Sequence, residues 1–285
     1  MNGGIRETSP AMFNLYRVFV YLVCIFLAFL SIIPFWIMFV NATRSTPEIQ
    51  QGLSLLPSEY LMSNLRVLLD KAFDPVRGFT NSFIVSAGTT ILAVYFSSLT
   101  AFGLVAYNWR WRQPFFTMII AIMLIPAQAS AVGFFQFMYK IGWTNSFLPL
   151  ILPAIASPAV VFFMRQFLLG ALSLELVEAA RIDGSGEFMT FNRIVLPIML
   201  PAIAVQSIFI FVGSWNNLFM PLILLTQKEK FTLPIMVSLL RGDIYRTEFG
   251  SIYLGLSLTV LPLFIVYFLL SRFIIAGVAL GGIKE

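Results

Sequence analysis

Long runs of apolar residues alternate with short polar segments along this chain of 285 residues. A helix that crosses a membrane needs about 20 predominantly apolar residues. The pattern therefore predicts six spans, near residues 17–40, 81–107, 115–139, 147–163, 198–225 and 251–275. These runs are continuously apolar and lack the alternation of a membrane β-barrel. We predict an all-α polytopic membrane protein, in which a short segment (residues 1–16) precedes the transmembrane domain (residues 17–285).

The polar segments between the runs are predicted to lie outside the membrane. Residues 41–80 form a loop with one or two short helices, the best candidate being residues 60–72. Residues 108–114 form a tight turn whose two tryptophans and two arginines suit a membrane–water interface. Residues 140–146 form another short turn, and residues 226–249 form a second polar loop.

Composition agrees with a membrane protein and excludes several kinds of site. Apolar residues make up 59% of the chain and charged residues 11%, against roughly 25% charged in soluble domains. No run of lysine and arginine indicates nucleic-acid binding, despite the net charge of +5. The chain has no histidine and one cysteine, Cys24. Internal disulfides, histidine–cysteine metal sites and histidine-dependent nucleophilic catalysis are therefore excluded, and we predict neither a catalytic nor a metal site.

The predicted spans also lack the usual devices for powering transport. None of the thirteen acidic residues falls inside them, whereas ion-coupled carriers usually need an ionisable group within the membrane. The chain contains no phosphate-binding GxxxxGK[ST] loop for ATP. A transport protein of this kind must receive its energy from another subunit or act as a passive channel.

Uncharged polar side chains do occur within the predicted spans. Because an amide in hydrocarbon is costly unless it is hydrogen-bonded, we expect these side chains to face the interior of the helix bundle. They either line a pathway for a polar solute or join helices by hydrogen bonds. The candidates are Gln128 and Gln136 in the third span, and Gln206, Ser214, Asn216 and Asn217 in the fifth.

One polar segment, residues 166–201, stands out among the apolar runs and predicts two short helices. Ser173 is placed to cap a first helix that has Glu175 in its first turn. Glu178 and Arg181 are three residues apart and could pair on one face. Gly184 is placed to end this helix.

The second helix of this segment is predicted to begin just after the glycine. Ser185 could cap it, with Glu187 in its first turn. Phe188, Phe191 and Val195 then fall at helical spacing on one face, and Phe188 and Phe191 are predicted to form an aromatic stripe that faces outward. Proline returns the chain to the membrane at positions 197 and 201.

Three interpretations of this helix–bend–helix segment compete. It could be an ordinary solvated loop, although such loops seldom carry two capped helices with an aromatic stripe. It could be catalytic through Glu178, Asp183 and Glu187, but no nucleophile or metal ligand accompanies these carboxylates. The third interpretation is a docking surface that fits a groove on a partner protein.

The order Glu178-Ala179-Ala180, three residues, Gly184, nine residues, Ile194-Val195-Leu196-Pro197 resembles the EAA signature of permease subunits of binding-protein-dependent ABC importers. Further segments resemble the carbohydrate-uptake branch, close to the maltose-type second permease. These are residues 163–167, residues 213–217, and the ending from Arg272-Phe273 to Lys284. The similarity extends from the first span to the C-terminus.

The resemblance implies a type I ABC importer permease fold in the bacterial inner membrane, with both termini and the coupling loop (residues 166–197) in the cytoplasm. It implies two ATP-binding subunits, which would hold ATP and magnesium, so that this chain has no cofactor of its own. A second homologous permease and an external solute-binding protein would complete the complex, with residues 41–80 and 226–249 facing the binding protein. The implied docking residues are Glu178, Ala179, Ala180, Asp183, Gly184, Phe188, Phe191, Ile194, Leu196 and Pro197.

Two departures from the family pattern and one undecided test qualify the resemblance. Asn217 stands where the family often has aspartate, and the chain ends Gly-Gly-Ile-Lys-Glu instead of Gly-Ala-Val-Lys-Gly. Lysine and arginine divide nine against nine between the two sides of the membrane, so charge alone leaves the orientation open.

We predict import of a sugar, with an oligosaccharide favoured. The alternatives are another polar solute such as glycerol phosphate, or a self-sufficient carrier or channel.

Overall fold

The computed structural model describes residues 10–70, 73–240 and 248–281, and all of their regular secondary structure is helical. The first half contains α1 (Pro10–Ala42), α2 (Thr46–Gln50), α3 (Leu61–Asp70), α4 (Pro75–Ala106), α5 (Arg112–Ile122), α6 (Ala127–Lys140) and α7 (Leu148–Ile151). The second half contains α8 (Pro158–Ala171), α9 (Leu174–Ile182), α10 (Glu187–Thr190), α11 (Leu196–Ile198), α12 (Leu200–Trp215), α13 (Phe219–Leu224), α14 (Leu233–Leu240) and α15 (Phe249–Gly281).

Four of the six predicted spans correspond to helical segments that are long and apolar enough to cross a membrane. Among the described residues these are Arg17–Ala42, Pro75–Ala106, Leu148–Ala171 and Phe249–Leu269. Glu187–Ile198 and Leu200–Trp215 reach the length of a fifth span only when they are counted together, and they meet at a bend of 78°. The structure thus agrees with an all-α polytopic protein, and the count of six spans stays a prediction.

The third predicted span, residues 115–139, is not one continuous helix. Helix α5 has 11 residues and α6 has 14, and the chain turns between them at residues 123–126. Pro126 explains the break, because proline has no amide N–H to donate and disfavours helical geometry in the preceding residue. Each piece is shorter than the roughly 20 residues that a spanning helix needs.

Two further boundaries differ from the sequence prediction. The fifth span, predicted over residues 198–225, ends its main helix at Trp215 and resumes at Phe219. The polar loop predicted over residues 226–249 contains the apolar helix α14, with Leu233 and Ile235 buried. The prediction of short helices within residues 41–80 is confirmed by α2 and α3.

The described residues form two compact units by their contacts, and the first comprises residues 10–70, 240 and 248–257. Buried Asn64 organises it, because its side-chain amide donates to the carbonyl oxygens of Ala42 and Arg44, each at 2.9 Å. The hydroxyl of Ser251 donates to the Asn64 carbonyl at 3.1 Å. These bonds hold the end of α1, the start of α3 and the start of α15 together.

The second unit, residues 73–239 and 258–281, is built around α4. Asp74 caps this helix by accepting from the Arg77 amide at 3.0 Å, and Pro75 occupies its first turn. Helices α8 and α12 both pack against α4. The interior cluster of this unit is Ala101, Phe102, Val160, Met164, Leu168, Val177, Phe191, Val195 and Met199, all buried. Burial of these side chains is the main force that orders the unit.

A single asparagine joins two connecting segments of the second unit. Asn145 has a left-handed backbone (φ 56°), and its side-chain oxygen accepts from the Thr226 amide at 2.6 Å and the Gln227 amide at 3.0 Å. It also accepts from the Thr226 hydroxyl at 2.9 Å. Asparagine tolerates left-handed geometry better than most residues. The same residue therefore allows the left-handed turn and makes the hydrogen bonds to Thr226 and Gln227.

Replacing Asn145 by alanine is therefore expected to destabilise the protein by about 1–2 kcal/mol, because the exposed donors of Thr226 and Gln227 lose their acceptor and alanine must adopt the left-handed backbone conformation. Thermal unfolding in detergent measures the change. Ser146→Ala is the matched control, since the Leu148 amide, at 3.2 Å, is the single donor to that hydroxyl among the described residues. Equal melting temperatures for both variants would show that the Asn145 side chain does not stabilise the contact between these segments.

Candidate docking surface

The predicted docking segment forms two helical pieces around a glycine. Helix α9 begins after Ser173, whose side chain makes no capping hydrogen bond, so the predicted serine cap is wrong. Glu175 does lie in the first turn, where its negative charge interacts favourably with the positive end of the helix dipole. Val177 and Ala180 are buried and fix α9 against the rest of the second unit.

Gly184 ends α9 as predicted, in a left-handed conformation with φ of +79°. The Ser185 amide donates to the Ala180 carbonyl at 2.9 Å, and the Gly184 amide donates to the Arg181 carbonyl at 3.0 Å. This pair of bonds is the Schellman arrangement, which favours glycine because it requires a positive φ. No atom outside the turn lies within 4 Å of the position that a Cβ would take. The backbone conformation, and not space, therefore demands glycine.

The second helical piece begins one residue later than predicted. Gly186, not Ser185, precedes α10, and the Ser185 hydroxyl accepts from the Thr190 hydroxyl at 3.0 Å. Residues Phe191–Val195 then form a π-helical turn that leads into α11. The predicted placement of Glu187 in the first turn is confirmed.

The predicted outward stripe of Phe188 and Phe191 is wrong. Phe188 is 66% exposed, whereas Phe191 and Val195 are completely buried. The Phe191 ring lies 5.7 Å from the ring of Phe102 and 5.8 Å from that of Tyr95, measured between centroids. The π-helical turn at residues 191–195 changes the helical period, so Phe188 does not share the buried face of Phe191 and Val195.

The predicted docking residues therefore divide by exposure. Glu178, Ala179, Asp183, Gly184, Phe188 and Pro197 are exposed, Ile194 and Leu196 are half-buried, and Ala180 and Phe191 are buried. The buried pair can act only by holding the segment in place. Sequence reasoning missed further exposed apolar side chains beside the glycine turn, Ile182 (86% exposed) and Met189 (48%). An apolar side chain next to a helix-ending glycine was the available signal. Exposed apolar patches of this kind mark interaction sites.

An ionic cluster that the sequence did not reveal ties the two pieces to the end of α4. The Arg181 guanidinium donates to the Glu187 carboxylate at 2.8 and 3.4 Å. Tyr107, directly after α4, donates its hydroxyl hydrogen bond to the same carboxylate. The guanidinium carbon lies 5.1 Å from the centroid of the Tyr107 ring. The predicted Glu178–Arg181 pair is absent from the described residues, because Arg181 binds Glu187 instead.

These contacts shift the ionisation of the cluster in a consistent direction. Hydrogen bonds from Arg181 and then Tyr107 lower the pKa of Glu187. The hydrogen bond to Glu187 raises the pKa of Arg181, and burial together with that carboxylate raises the pKa of Tyr107. At neutral pH the carboxylate and guanidinium are both charged and the tyrosine keeps its proton.

Replacing Glu187 by glutamine is expected to loosen the glycine turn while the chain stays folded. Hydrogen–deuterium exchange of peptides spanning residues 181–190 should rise severalfold, because the charged pair is lost. Glu175→Gln, on the same loop but outside the cluster, is the control and should leave this exchange unchanged. If both variants exchange alike, the cluster does not hold the turn.

The pH dependence has a definite sign. A carboxyl group whose pKa is lowered by folding contributes stability above its ordinary pKa and loses it as the pH falls through the lowered value. Protection of residues 181–190 should therefore be constant between pH 6 and 8, after correction for intrinsic exchange. It should decline only in acid, below the ordinary range of a glutamate carboxyl.

The six candidate pathway side chains do not share one environment. Gln128, Gln136, Asn216 and Asn217 are exposed, while Gln206 and Ser214 are half-buried. Asn216 and Asn217 lie in the break between α12 and α13, and Gln128 lies in the first turn of α6, beside the other break. Among the described residues, the Asn217 side-chain oxygen accepts from the Met220 amide of α13 at 3.4 Å, and the other five side chains make no hydrogen bond to another helix. Their polar groups are thus available to a solute or to another subunit.

The described residues contain no group of histidine, cysteine, aspartate or glutamate side chains that could hold a metal ion. Cys24 is exposed on α1. The chemistry available at the glycine turn is recognition by exposed apolar and charged groups.

Comparisons with known proteins agree with this architecture. Residues 93–279 match the family described as binding-protein-dependent transport system inner membrane component. The chain is 33% identical to the arabinooligosaccharides transport system permease protein AraQ of Halalkalibacterium halodurans, over 98% of this chain and 99% of that protein. It is 28% identical to the sn-glycerol-3-phosphate transport system permease protein UgpE of Brucella abortus, over 86% of this chain and 89% of that protein.

A solved structure has the same fold. A chain of a bacterial ABC transporter involved in the import of the acidic polysaccharide alginate superposes with a TM-score of 0.78, covering 94% of this chain and 99% of that one at 21% identity. The fold is that of a type I ABC importer permease, and the relatives are transport subunits and not enzymes. With its apolar helices and the family match over residues 93–279, the chain belongs to the binding-protein-dependent transport system inner membrane components, as a multi-pass permease subunit of an ABC importer.

Proposed function

We propose that this permease carries a sugar, with an oligosaccharide favoured, across the bacterial inner membrane. The observation that carries the proposal is the pair of breaks in helices α5–α6 and α12–α13, with amide side chains beside them. Interrupted membrane helices commonly form solute sites near the middle of the bilayer. Amides suit the hydroxyl groups of a sugar, and AraQ is named for arabinooligosaccharides.

The ATP-binding subunits transmit the force of ATP-driven closure to the permease through the glycine turn. Two ATP-binding subunits hold ATP and magnesium and receive the exposed residues of the docking segment, chiefly Glu178, Ile182 and Phe188. The rigid Schellman turn and the Arg181–Glu187 pair support this role, because a force on the turn moves α9 and α10 together. ATP-driven closure then shifts the permease between inward- and outward-facing states.

The remaining assignments follow from this docking. The turn lies in the cytoplasm, and so do both termini. A second homologous permease completes the membrane-spanning pathway. A solute-binding protein approaches the opposite side, where residues 41–80 and 226–249 lie. Lipid surrounds the complex, and this chain itself binds no ATP, magnesium or nucleic acid.

Two alternatives remain as competing outcomes. Glycerol phosphate is one, and UgpE is named for it. An anionic solute should favour cations at mid-membrane, yet Arg165 is the basic residue within Leu148–Ala171 and lies in its last two turns. A self-sufficient carrier or channel is the other, and the lack of acidic residues in the predicted spans opposes ion coupling.

Reconstituted vesicles distinguish these functions. Vesicles containing both permeases and the ATPases, with the cognate binding protein outside, should accumulate a labelled arabino-oligosaccharide only when ATP is inside. The same vesicles should not accumulate labelled glycerol phosphate. Preference for glycerol phosphate would overturn the sugar assignment, and ATP-independent uptake by this chain alone would overturn the importer mechanism.

A further inference from the structure

Two arginines that have no counter-ion among the described residues lie where α4, α5 and α8 pack together. The apolar contact between these helices consists of buried Leu104, Phe116, Ile119 and Val161, with Phe162 packed against them. Arg112 is the first residue of α5, and Arg165 lies near the end of α8. Both arginines are half-buried at the end of this contact.

Arg165 is held in place but is poorly provided with acceptors. Its guanidinium carbon lies 4.0 Å from the centroid of the Phe116 ring. One terminal nitrogen donates to the side-chain oxygen of Gln166 at 3.3 Å. The Nε atom is buried and has no hydrogen-bond partner among the described residues. An unsatisfied charged donor is costly, so this group favours an additional acceptor.

Arg112 approaches Arg165 through Phe116, whose ring the Arg165 guanidinium covers. It is one helical turn before Phe116, and it donates to the Tyr107 carbonyl at 3.3 Å. In the described ranges, no carboxylate lies within ion-pair distance of either guanidinium. Two adjacent guanidinium groups that lack a negative partner are a binding arrangement for a phosphate.

The side chains around the two arginines are typical of a membrane–water interface. Trp109 donates to the Gly103 carbonyl at 3.3 Å and packs against Phe115, lining a groove of about 610 Å³. Trp111 is exposed, as expected at the interface between lipid and water. Farther along α5 and α8, Met118 and Phe163 expose about half of their surface.

We propose that Arg112 and Arg165 bind the phosphate of an anionic phospholipid, whose acyl chains lie along the exposed apolar side chains of α5 and α8. The lipid is favoured over a carboxylate from another subunit because ring contacts lead from Arg165 through Phe116 and Phe162 to the exposed side chain of Phe163. Planar guanidinium groups bind phosphate oxygens in pairs, and basic pockets between membrane helices suit such head groups.

Native mass spectrometry of the complete, delipidated importer in detergent tests this site. Titrated phosphatidylglycerol should bind about tenfold or more tightly than phosphatidylcholine of the same chain length, as expected for charge-assisted hydrogen bonds. Arg165→Gln and Arg112→Gln should each lower phosphatidylglycerol binding about tenfold and leave phosphatidylcholine binding unchanged. Arg165→Lys keeps the charge without the planar fork and should give an intermediate loss.

Arg110→Gln is the matched control, because Arg110 lies on the same connection but its guanidinium rests on the Trp111 ring, 5.7 Å from the centroid. An equal loss in this variant would show diffuse attraction and overturn the site. If millimolar inorganic phosphate displaces phosphatidylglycerol, the arginines bind a soluble anion and the lipid proposal is overturned. Phosphatidylglycerol binding that appears only after the ATPases are removed would assign them to a subunit contact. The same spectra report the subunit stoichiometry. If the half-buried Arg165 variant fails to assemble, Arg112→Gln still tests the site.

Discussion

Replacing Gly184 by proline is expected to abolish ATP-driven uptake while leaving the protein in the membrane. Proline fixes φ near −65°, whereas this position has +79°. Proline also removes the amide that donates to the Arg181 carbonyl. The combined cost is about 3 kcal/mol or more, and it falls on the turn that is proposed to receive force from the ATPases. Uptake and ATPase activity in reconstituted vesicles measure the effect.

Two alanine substitutions test whether the effect depends on the left-handed backbone of the turn or on replacing any glycine in this segment. Gly184→Ala should cost about 1 kcal/mol, because an L-residue must adopt the left-handed conformation, and should reduce uptake partially. Gly186→Ala should have little effect, since its φ of −66° suits any residue and the space around it is open. Equal uptake by all three variants would show that the geometry of the turn does not contribute to coupling.

Reversing the charge of Glu178 is expected to produce the second-largest effect. Glu178 is exposed on α9 and makes no ion pair among the described residues, so lysine should leave the chain folded. Like charges placed at an interface cost several kcal/mol. Glu178→Lys should therefore uncouple ATP hydrolysis from uptake and weaken co-purification of the ATPase subunits.

Glu175→Lys is the control for general loop charge, because Glu175 is equally exposed one turn earlier and lies outside the predicted docking set. This variant should retain most uptake, with a small loss of helix stability from the dipole term, about 0.3–1 kcal/mol. If the Glu175 variant loses coupling as severely as the Glu178 variant, charge on the loop matters more than the particular position.

The sequence predicted the helical class and the glycine turn because both depend on local signals. Apolar runs report membrane contact directly, and Gly184 follows a helix whose charges match its dipole. The break before α6 could have been predicted from Pro126, since proline disfavours a continuous helix. The break after Trp215 contains no proline, so its position depended on tertiary packing.

The side-chain arrangement of the docking segment could not be predicted from spacing alone. Phe191 packs against Phe102 and Tyr95, which precede it by almost 90 and almost 100 residues, and such contacts leave no local pattern. Tyr107 is likewise distant in sequence from Glu187. The π-turn within residues 191–195 also changes the helical period, which invalidates a stripe counted at regular α-helical spacing.

The length of α4 has a mechanical consequence. At one end, Tyr107 is bound to Glu187 of the docking segment. Near the other end, the Asn81 amide donates to the carbonyls of Glu229 and Phe231, each at 2.9 Å. At 1.5 Å per residue, about 39 Å separate these two attachments along a single uninterrupted helix. An axial displacement imposed at Tyr107 must therefore reach residues 229–231 almost undiminished, because a hydrogen-bonded helix resists compression far better than a chain of loops.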